Sequence, residues 1–165
     1  MRKLVVMGVA GCGKSSLGLT LAQALGTPYI EGDSYHADES IAKMRAGIPL
    51  TDADRQGWLE RLSAALAGAE HGGVLACSAL KRSYRDQLRA ASPGLRFVYL
   101  DISRELSLQR VAARSAEHLF PVSLVSSQFA ALEAPDDEEG VVTVAAATSL
   151  DQQLAQVLAW LKGGG

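Results

Sequence analysis

Short apolar runs alternate with amphipathic stretches along the chain. Apolar residues at helical spacing predict helices, which we place at residues 14–25, 34–47, 53–70, 80–91, 103–114, 122–133 and 149–162. Runs with buried-strand character lie between them, at residues 3–7, 28–30, 74–77, 96–100 and 141–144. Strands that alternate with helices are typical of a parallel sheet covered on both faces. The pattern therefore predicts an α/β fold with three layers, α/β/α, in one domain over residues 1–165.

Two helix boundaries carry local signals. Gly26 stands where a glycine commonly ends a helix, directly after the first predicted helix. Asp52 or Asp54 is the predicted cap of the helix at 53–70, because a carboxylate can accept hydrogen bonds from the free N–H groups of a first turn.

Composition narrows the class of protein. The chain has 165 residues, of which 48% are apolar, and this share suits a sizeable core. Sixteen basic and 18 acidic residues give a net charge of −2, which argues against a nucleic-acid partner. Two cysteines, Cys12 and Cys77, are too few for a disulfide framework or a four-ligand zinc site. Since no apolar run has the ~20 residues of a membrane span, we expect a cytoplasmic protein without a membrane partner.

A phosphate-binding loop follows the first strand. Residues 8–15 match G-x-x-x-x-G-K-[ST], with an apolar strand before the motif and an amphipathic helix after it. In such a loop backbone N–H groups face the phosphates, the lysine reaches the β- and γ-phosphates, and the serine hydroxyl is a Mg²⁺ ligand. The sequence therefore predicts that ATP or GTP binds through Gly8, Val9, Ala10, Gly11, Cys12, Gly13, Lys14, Ser15 and Ser16. A small tolerated side chain is the simpler interpretation of Cys12, with a redox role as the alternative.

Two carboxylates follow the second strand, at Glu31 and Asp33. Ligands of open α/β sheets bind at the carboxyl ends of strands. One carboxylate can help to hold Mg²⁺ and the other can accept the proton of an attacking hydroxyl. A solvated turn is the alternative interpretation. A domain of this length leaves little room for the machinery of motor or switch ATPases, so we predict a small-molecule kinase.

Half of the sixteen basic residues lie within residues 81–114. Ser78, Lys81 and Arg85 follow the third strand at its carboxyl end, where they could clamp an anionic acceptor. Arg89 and Arg96 are expected on a solvated helix face.

Several further runs resemble the gluconate kinases, which are small P-loop sugar-acid kinases related in fold to shikimate kinases. The resemblance covers about residue 4 to Pro135. It rests on the phosphate loop, Glu31-Gly32-Asp33 with His36, Lys43-Met44, Gly47, Pro49-Leu50, Asp52-Ala53-Asp54-Arg55 with Trp58-Leu59, and Cys77-Ser78-Ala79-Leu80-Lys81 with Tyr84-Arg85-Asp86. Two of these runs, Asp-Arg-x-x-Trp-Leu and Cys-Ser-Ala-Leu-Lys, are specific, whereas the phosphate loop alone is not.

The resemblance implies that phosphate is transferred from ATP to the 6-hydroxyl of D-gluconate by a cytoplasmic homodimer. It also implies a five-stranded parallel sheet of order 2-3-1-4-5. Asp33 would be the base and Glu31, with Ser15, would hold Mg²⁺. Substrate contacts would come from Asp33, His36, Lys43, Arg55, Ser78, Lys81 and Arg85. Such cations suit gluconate, because an arginine can grip a carboxylate through two hydrogen bonds.

A small mobile lid is implied at about residues 110–121. Arg110 and Arg114, with Lys14, would neutralise the charge of the transferred phosphoryl group. Members of the family commonly have Arg-Lys-Gly-His-Phe before a helix with Ser-Gln-Phe. Here Arg-Ser-Ala-Glu-His-Leu-Phe-Pro over 114–121 precedes Ser127-Gln128-Phe129, which leaves the role of His118 open. Adenine is expected near Ala145–Ser149.

Other functions remain open from the sequence. The nearest alternative is a kinase for another small hydroxy-acid, such as shikimate. A non-catalytic nucleotide-binding module is an alternative of a different class, against which the predicted base and lid arginines argue. A nucleoside monophosphate kinase is disfavoured, because no segment resembles the base-reading segment that those enzymes need.

Overall fold

The computed structural model describes residues 2–114 and 121–164. Five parallel strands form one sheet in the order β2-β3-β1-β4-β5, which confirms the predicted order. The strands are β1 (Lys3–Met7), β2 (Tyr29–Glu31), β3 (Gly73–Ala76), β4 (Arg96–Asp101) and β5 (Val141–Ala145). In the centre, Val5 of β1 pairs with Leu75 on one side and Phe97 on the other. The polarity of this sheet puts the carboxyl ends of β1, β2 and β3 at one edge.

Seven α-helices belong to the described part of the chain. They are α1 (Lys14–Leu25), α2 (Asp38–Arg45), α3 (Asp52–Gly68), α4 (Arg82–Ala91), α5 (Arg104–Arg114), α6 (Val125–Ala131) and α7 (Leu150–Lys162). Short 3-10 helices at Gly32–Tyr35 and Val122–Leu124 precede α2 and α6.

Alternating side chains of β1 pack against the two helical layers. Leu4 and Val6 lie in a buried cluster with Leu17 of α1 and Val157 of α7. Val5 and Met7 lie in the opposite cluster, whose helical members come from α3 and α4. A strand buried on both faces explains why β1 appears in the sequence as a continuous apolar run.

Most predicted elements are confirmed to within one or two residues, but three boundaries differ. The helix predicted at 34–47 is divided into a 3-10 turn and the shorter α2. The helix predicted at 122–133 likewise begins as a 3-10 turn and ends at Ala131. Thr51, rather than Asp52 or Asp54, caps α3: its hydroxyl accepts from the Asp54 N–H, and the Asp54 carboxylate accepts from the Thr51 N–H. Gly26 ends α1 in the left-handed conformation, as predicted.

Within residues 2–114 and 121–164, every helix is too short or too polar to cross a membrane.

Candidate active site

The phosphate loop connects β1 to α1 with backbone that a larger residue would disturb. Gly8 has φ +151°, and a Cβ there would lie 2.9 Å from the carbonyl oxygen of Leu100 and 2.6 Å from the Cys12 sulfur. Gly13 takes the left-handed conformation directly before the first turn of α1. The loop therefore leads directly into the positive end of α1, which suits an anion.

Side chains from distant helices fix the shape of this loop. The Ser107 hydroxyl donates to the carbonyl of Ala10 at 2.7 Å. The Arg110 guanidinium donates to the carbonyls of Gly11 and Ala146, both at 3.0 Å. Gln128 of α6 accepts from the Ala10 N–H through Oε1 at 2.7 Å. The loop is thus held by α5 and α6, and Arg110 ties it to the turn after β5.

Glu31 lies beside the end of the phosphate loop. The Ser15 hydroxyl donates to Glu31 Oε2 at 2.8 Å, and the Tyr29 hydroxyl donates to the same oxygen at 2.5 Å. Burial and this hydrogen bond raise the pKa of Tyr29, so its proton stays in place at neutral pH. The predicted metal ligands Ser15 and Glu31 are therefore brought together, and Tyr29 orients the carboxylate.

Asp33 and His36 occupy the short 3-10 turn and its end. A Cβ on Gly32 would lie 2.4 Å from the carbonyl oxygen of Ala76, so only glycine lets this turn approach the end of β3. The Asp33 side chain is 67% exposed, and its Oδ1 lies 4.0 Å from His36 Nε2. The His36 side chain is only 7% exposed. Burial lowers the pKa of His36, opposed in part by the Asp33 charge, so neutral imidazole is favoured.

A polar cluster lies at the start of α3 and α4. Asp52 accepts from the Tyr84 hydroxyl and from Lys81 Nζ, the latter at 2.9 Å. Arg55 donates to the Tyr84 hydroxyl oxygen at 3.2 Å. The hydrogen bonds from Tyr84 and Lys81 lower the pKa of Asp52, and its carboxylate in turn raises the pKa of Lys81. Both ionic groups therefore keep their charge at neutral pH.

One cavity, the main cavity of the site, connects the phosphate loop to these acceptor-side residues. Its lining contains much of the predicted site: Ala10, Gly11, Gly13, Lys14, Ser15, Ser16, Asp33, His36, Arg55, Ser78 and Arg114. A second cavity also includes Arg55 in its lining and extends to Asp52 and Lys81. Arg55 lines both cavities, so it lies between the phosphate end and Lys81.

Two predicted site residues, Lys43 and Arg110, make contacts with the protein itself. Lys43 pairs with Asp54 at 2.8 Å and does not line either cavity. Its hydrogen bond is the main reason why the pKa of Asp54 falls to about 2. Both terminal nitrogens of Arg110 donate to backbone carbonyls, which fits a loop-organising role better than charge neutralisation. These placements give no support to a substrate contact by Lys43 or a phosphoryl contact by Arg110.

Arg85, which was predicted to contact the substrate, lines neither cavity. Its side chain is fully buried, and it pairs with Glu138 at 2.5 Å. It also donates to the carbonyls of Ala79, Leu80 and Glu133. Burial would raise the pKa of Glu138, but hydrogen bonds from Arg85 and Arg89 outweigh burial and lower it. Arg85 therefore fastens the segment after α6 to α4, a position that does not fit the predicted contact with substrate.

Only the two ends of the predicted lid, residues 110–114 and 121, belong to the described residues. Arg114 ends α5 and lines the main cavity, whereas residues 115–120, including His118, lie outside the described residues.

Gly8, Val9 and Cys12 belong to the loop but do not line the cavity. Cys12 is buried, and burial raises the pKa of its thiol, which disfavours the thiolate that redox chemistry needs.

Sequence reasoning missed several residues of the site. Tyr29, Asp52 and Tyr84 contact predicted site residues, and Ser127 and Gln128 line the main cavity. Trp58 is 2% exposed and also lines that cavity. A signal was available for Thr51, because Thr-x-x-Asp before a helical stretch resembles a capping box. For Gln128 no local signal exists, since its partner Ala10 lies 118 positions away.

The fold and the site together define a P-loop kinase. A parallel sheet of order 2-3-1-4-5 carries a phosphate loop, and one cavity joins that loop to a carboxylate and to cationic side chains. The shikimate kinase family matches residues 10–155. The crystal structure of a shikimate kinase from Aquifex aeolicus covers 99% of the chain with a TM-score of 0.67, and at 19% identity it shows the shared fold alone.

Comparison with closer relatives resolves the family within this class. A gluconokinase from Gluconobacter oxydans is 44% identical over 160 residues, which cover 95% of this chain and 89% of that protein. The crystal structure of a gluconokinase from Sinorhizobium meliloti is 43% identical, with a TM-score of 0.86 over 99% of this chain and 97% of that one. The chain belongs to the gluconokinase family.

Proposed function

We propose that this enzyme transfers the γ-phosphoryl group of ATP to the 6-hydroxyl of D-gluconate and releases 6-phospho-D-gluconate and ADP. The observation that carries the proposal is the shared cavity, in which Lys14 and Ser15 meet Asp33 and Arg55. Identity of 44% to a gluconokinase over nearly the whole chain supports gluconate as the acceptor. Shikimate has weaker support, since the shikimate kinase structure is 19% identical.

Mg²⁺ is the metal that such a reaction uses, and Ser15 with Glu31 fits it. Because the Ser15 proton points to Glu31, the hydroxyl lone pairs remain for a metal ion. Within the described ranges no group of three His, Cys, Asp or Glu side chains forms a metal cage. Mg²⁺ needs no such cage, because it keeps several waters and takes other ligands from phosphate oxygens. When bound, the ion would neutralise charge on the β- and γ-phosphates.

Asp33 is proposed to accept the proton of the attacking hydroxyl. It lines the cavity, and among residues 2–114 and 121–164 it has no ion pair closer than the 4.0 Å contact with His36. Neutral His36 leaves the Asp33 charge uncompensated, and its buried Nδ1 has no protein partner in the described chain. His36 lines the cavity, and its Nε2 is the ring nitrogen on the side of Asp33, so we propose that His36 orients the acceptor beside Asp33.

Arg55 and Lys81 are proposed to bind the far end of gluconate. They lie beyond Asp33 along the two adjoining cavities, and both contact the Tyr84–Asp52 pair. Asp52 compensates for part of their charge, so this end can hold one carboxylate without being strongly basic when empty. Ser78, which lines the same main cavity, is available to a substrate hydroxyl.

Charge on the transferred group is proposed to be neutralised by Lys14 and Arg114. Both line the main cavity, whereas Arg110 is held by backbone carbonyls. Bound substrates would exclude water from the cavity, which favours transfer to the sugar acid over hydrolysis of ATP. From the family resemblance we also propose a homodimer that acts in the cytoplasm.

The decisive experiment is ADP release by purified protein with Mg²⁺ and ATP. The acceptors are D-gluconate, shikimate, other sugar acids and nucleoside monophosphates, each tested alone. Stimulation by D-gluconate, with 6-phosphogluconate identified by mass spectrometry, is the expected result. If only another acid stimulates ADP release, that acid and not D-gluconate is the acceptor. If the protein binds nucleotide but transfers phosphate to no acceptor, it is a nucleotide-binding module.

A further inference from the structure

Gln128 reaches the phosphate loop from a helix that lies more than a hundred positions away. Its Oε1 accepts from the Ala10 N–H at 2.7 Å, while the Ser107 hydroxyl donates to the carbonyl of the same residue. Both polar backbone groups of Ala10 are thus held by side chains, one from α6 and one from α5. Gln128 is also part of the lining of the main cavity, beside Ser127 and Lys14.

The Ala10 N–H fixes the orientation of the carboxamide. A backbone N–H can only be met by an acceptor, so the oxygen of Gln128 faces Ala10 and its NH₂ group faces away. No residue in the described part of the chain accepts a hydrogen bond from that NH₂ group. Among the described residues the NH₂ group therefore keeps both N–H donors unused, on a side chain that lines the cavity next to the phosphate loop.

We propose that Gln128 is a catalytic residue that donates from Nε2 to an oxygen of the γ-phosphoryl group while its Oε1 remains bound to Ala10. This inference rests on the proposed use of ATP. A donor preset by the protein stabilises charge on the phosphoryl oxygens without reorganisation during transfer. The same contact links α6, which directly follows the segment expected to form the lid, to the presence of the third phosphate. ADP lacks that phosphate and cannot make the contact.

Gln128→Glu separates the two ends of the side chain. A glutamate keeps the length and can still accept from the Ala10 N–H, but it replaces the NH₂ group with an anionic oxygen. Gln128→Met removes both the acceptor and the donor at similar volume. Gln156→Glu is the matched control, because Gln156 lies exposed on α7 and its side chain donates to the carbonyl of Thr143, away from the phosphate loop.

The measurement is the affinity for ADP and for β,γ-imido-ATP, each with Mg²⁺, by calorimetry, together with the melting temperature of each variant. Gln128→Glu is expected to lower the affinity for β,γ-imido-ATP about tenfold or more, because a hydrogen bond to a charged group is lost. Its affinity for ADP should fall by less than about twofold. Gln128→Met is expected to weaken both nucleotides, with the larger loss for β,γ-imido-ATP. Gln156→Glu is expected to match the wild type.

Two results would overturn the inference. If Gln128→Glu weakens ADP as much as β,γ-imido-ATP, the residue acts only on the loop. If Gln128→Glu binds β,γ-imido-ATP like the wild type, there is no contact with the γ-phosphoryl group. Should Gln128→Glu fail to fold, Gln128→Met decides by the same comparison of the two nucleotides. These binding experiments contain no acceptor, so their outcome does not depend on which sugar acid the enzyme uses. A wild-type protein that binds neither nucleotide would contradict the proposed function itself.

Discussion

The imidazole ring of His36 stacks on the indole ring of Trp58, with ring centroids 4.5 Å apart and ring planes inclined by 11°. Trp58 is itself fixed, since its Nε1 donates to the carbonyl of Gly32 at 2.8 Å. This stack connects α3 to the turn that carries Asp33. It also buries the imidazole, and burial is the main reason why the pKa of His36 is lowered.

The buried His36 makes stability dependent on pH. Its pKa is lower in the folded chain than the ordinary value near 6.5, so the unfolded chain binds the proton more tightly. The stabilisation by neutral His36 is complete above pH ~6.5 and is lost as the pH falls through the folded pKa. The melting temperature should therefore fall between pH 7 and pH 5, and His36→Gln should make this fall shallower. His71→Gln, at an exposed histidine, is the control; an equal change in both variants would contradict the prediction.

Asp33→Asn should abolish most phosphoryl transfer. Loss of a general base typically costs 10²–10⁴-fold in rate, so we expect kcat to fall by about that factor. The affinity for ATP should stay close to that of the wild type, because the phosphate loop is unchanged. Steady-state kinetics and nucleotide binding measure the two quantities. Asp137→Asn, in an exposed turn, serves as the control. A loss of about twofold or less would exclude Asp33 as the base.

Glu31→Gln should raise the Mg²⁺ concentration that gives half-maximal activity. The amide can still accept from Ser15 and Tyr29, but it removes the negative charge beside the proposed metal position. We expect a several-fold rise with little change in the KM for gluconate. A titration of activity against Mg²⁺ at fixed ATP tests this. An unchanged requirement for Mg²⁺ would place the metal away from Glu31.

Arg55→Met should act on the acceptor and spare the nucleotide. Removal of a cation that binds a carboxylate costs about 10-fold or more in affinity. We expect the KM for gluconate to rise by that factor, with the KM for ATP within about twofold. Arg45→Met, at an exposed arginine of α2, should leave both values unchanged. A rise in the KM for ATP alone would contradict the proposed orientation of the substrate.

Arg85→Met should destabilise the protein rather than weaken substrate binding. It leaves Glu138 buried without its main partner, which typically costs about 3–5 kcal/mol. For a chain of this size the melting temperature should fall by about 6–20 °C. The double variant Arg85→Met with Glu138→Leu should recover part of that loss, because it removes the unpaired charge. At a temperature where Arg85→Met remains folded, a large rise in the KM for gluconate would restore Arg85 to the substrate site.

The sequence predicted those features that depend on neighbouring residues. The phosphate loop, the buried strand before it and the left-handed Gly26 each follow from short patterns whose parts lie close together. Periodicity likewise placed the helices, although it could not distinguish a 3-10 turn from the first turn of α2. Local signals were sufficient because backbone geometry decides these elements.

The missed features depend on partners far apart in the chain. Arg85 lies among basic residues that follow a strand, and its burial depends on Glu138, 53 positions later. Lys43 likewise meets Asp54 across two helices. In each case a charged side chain suitable for a substrate is already neutralised by the protein, and only the tertiary structure shows which charges remain available.

Arg55 lines both adjoining cavities, so the proposed binding mode would select acids by their length. In the proposed binding mode the carboxylate lies at the Arg55–Lys81 end while a hydroxyl must reach Asp33. A hydroxy acid too short to span from that end to Asp33 would present no hydroxyl to the phosphoryl group. Selectivity would then depend on the number of carbons between the two ends of the acid, and only secondarily on the stereochemistry of the hydroxyls between them.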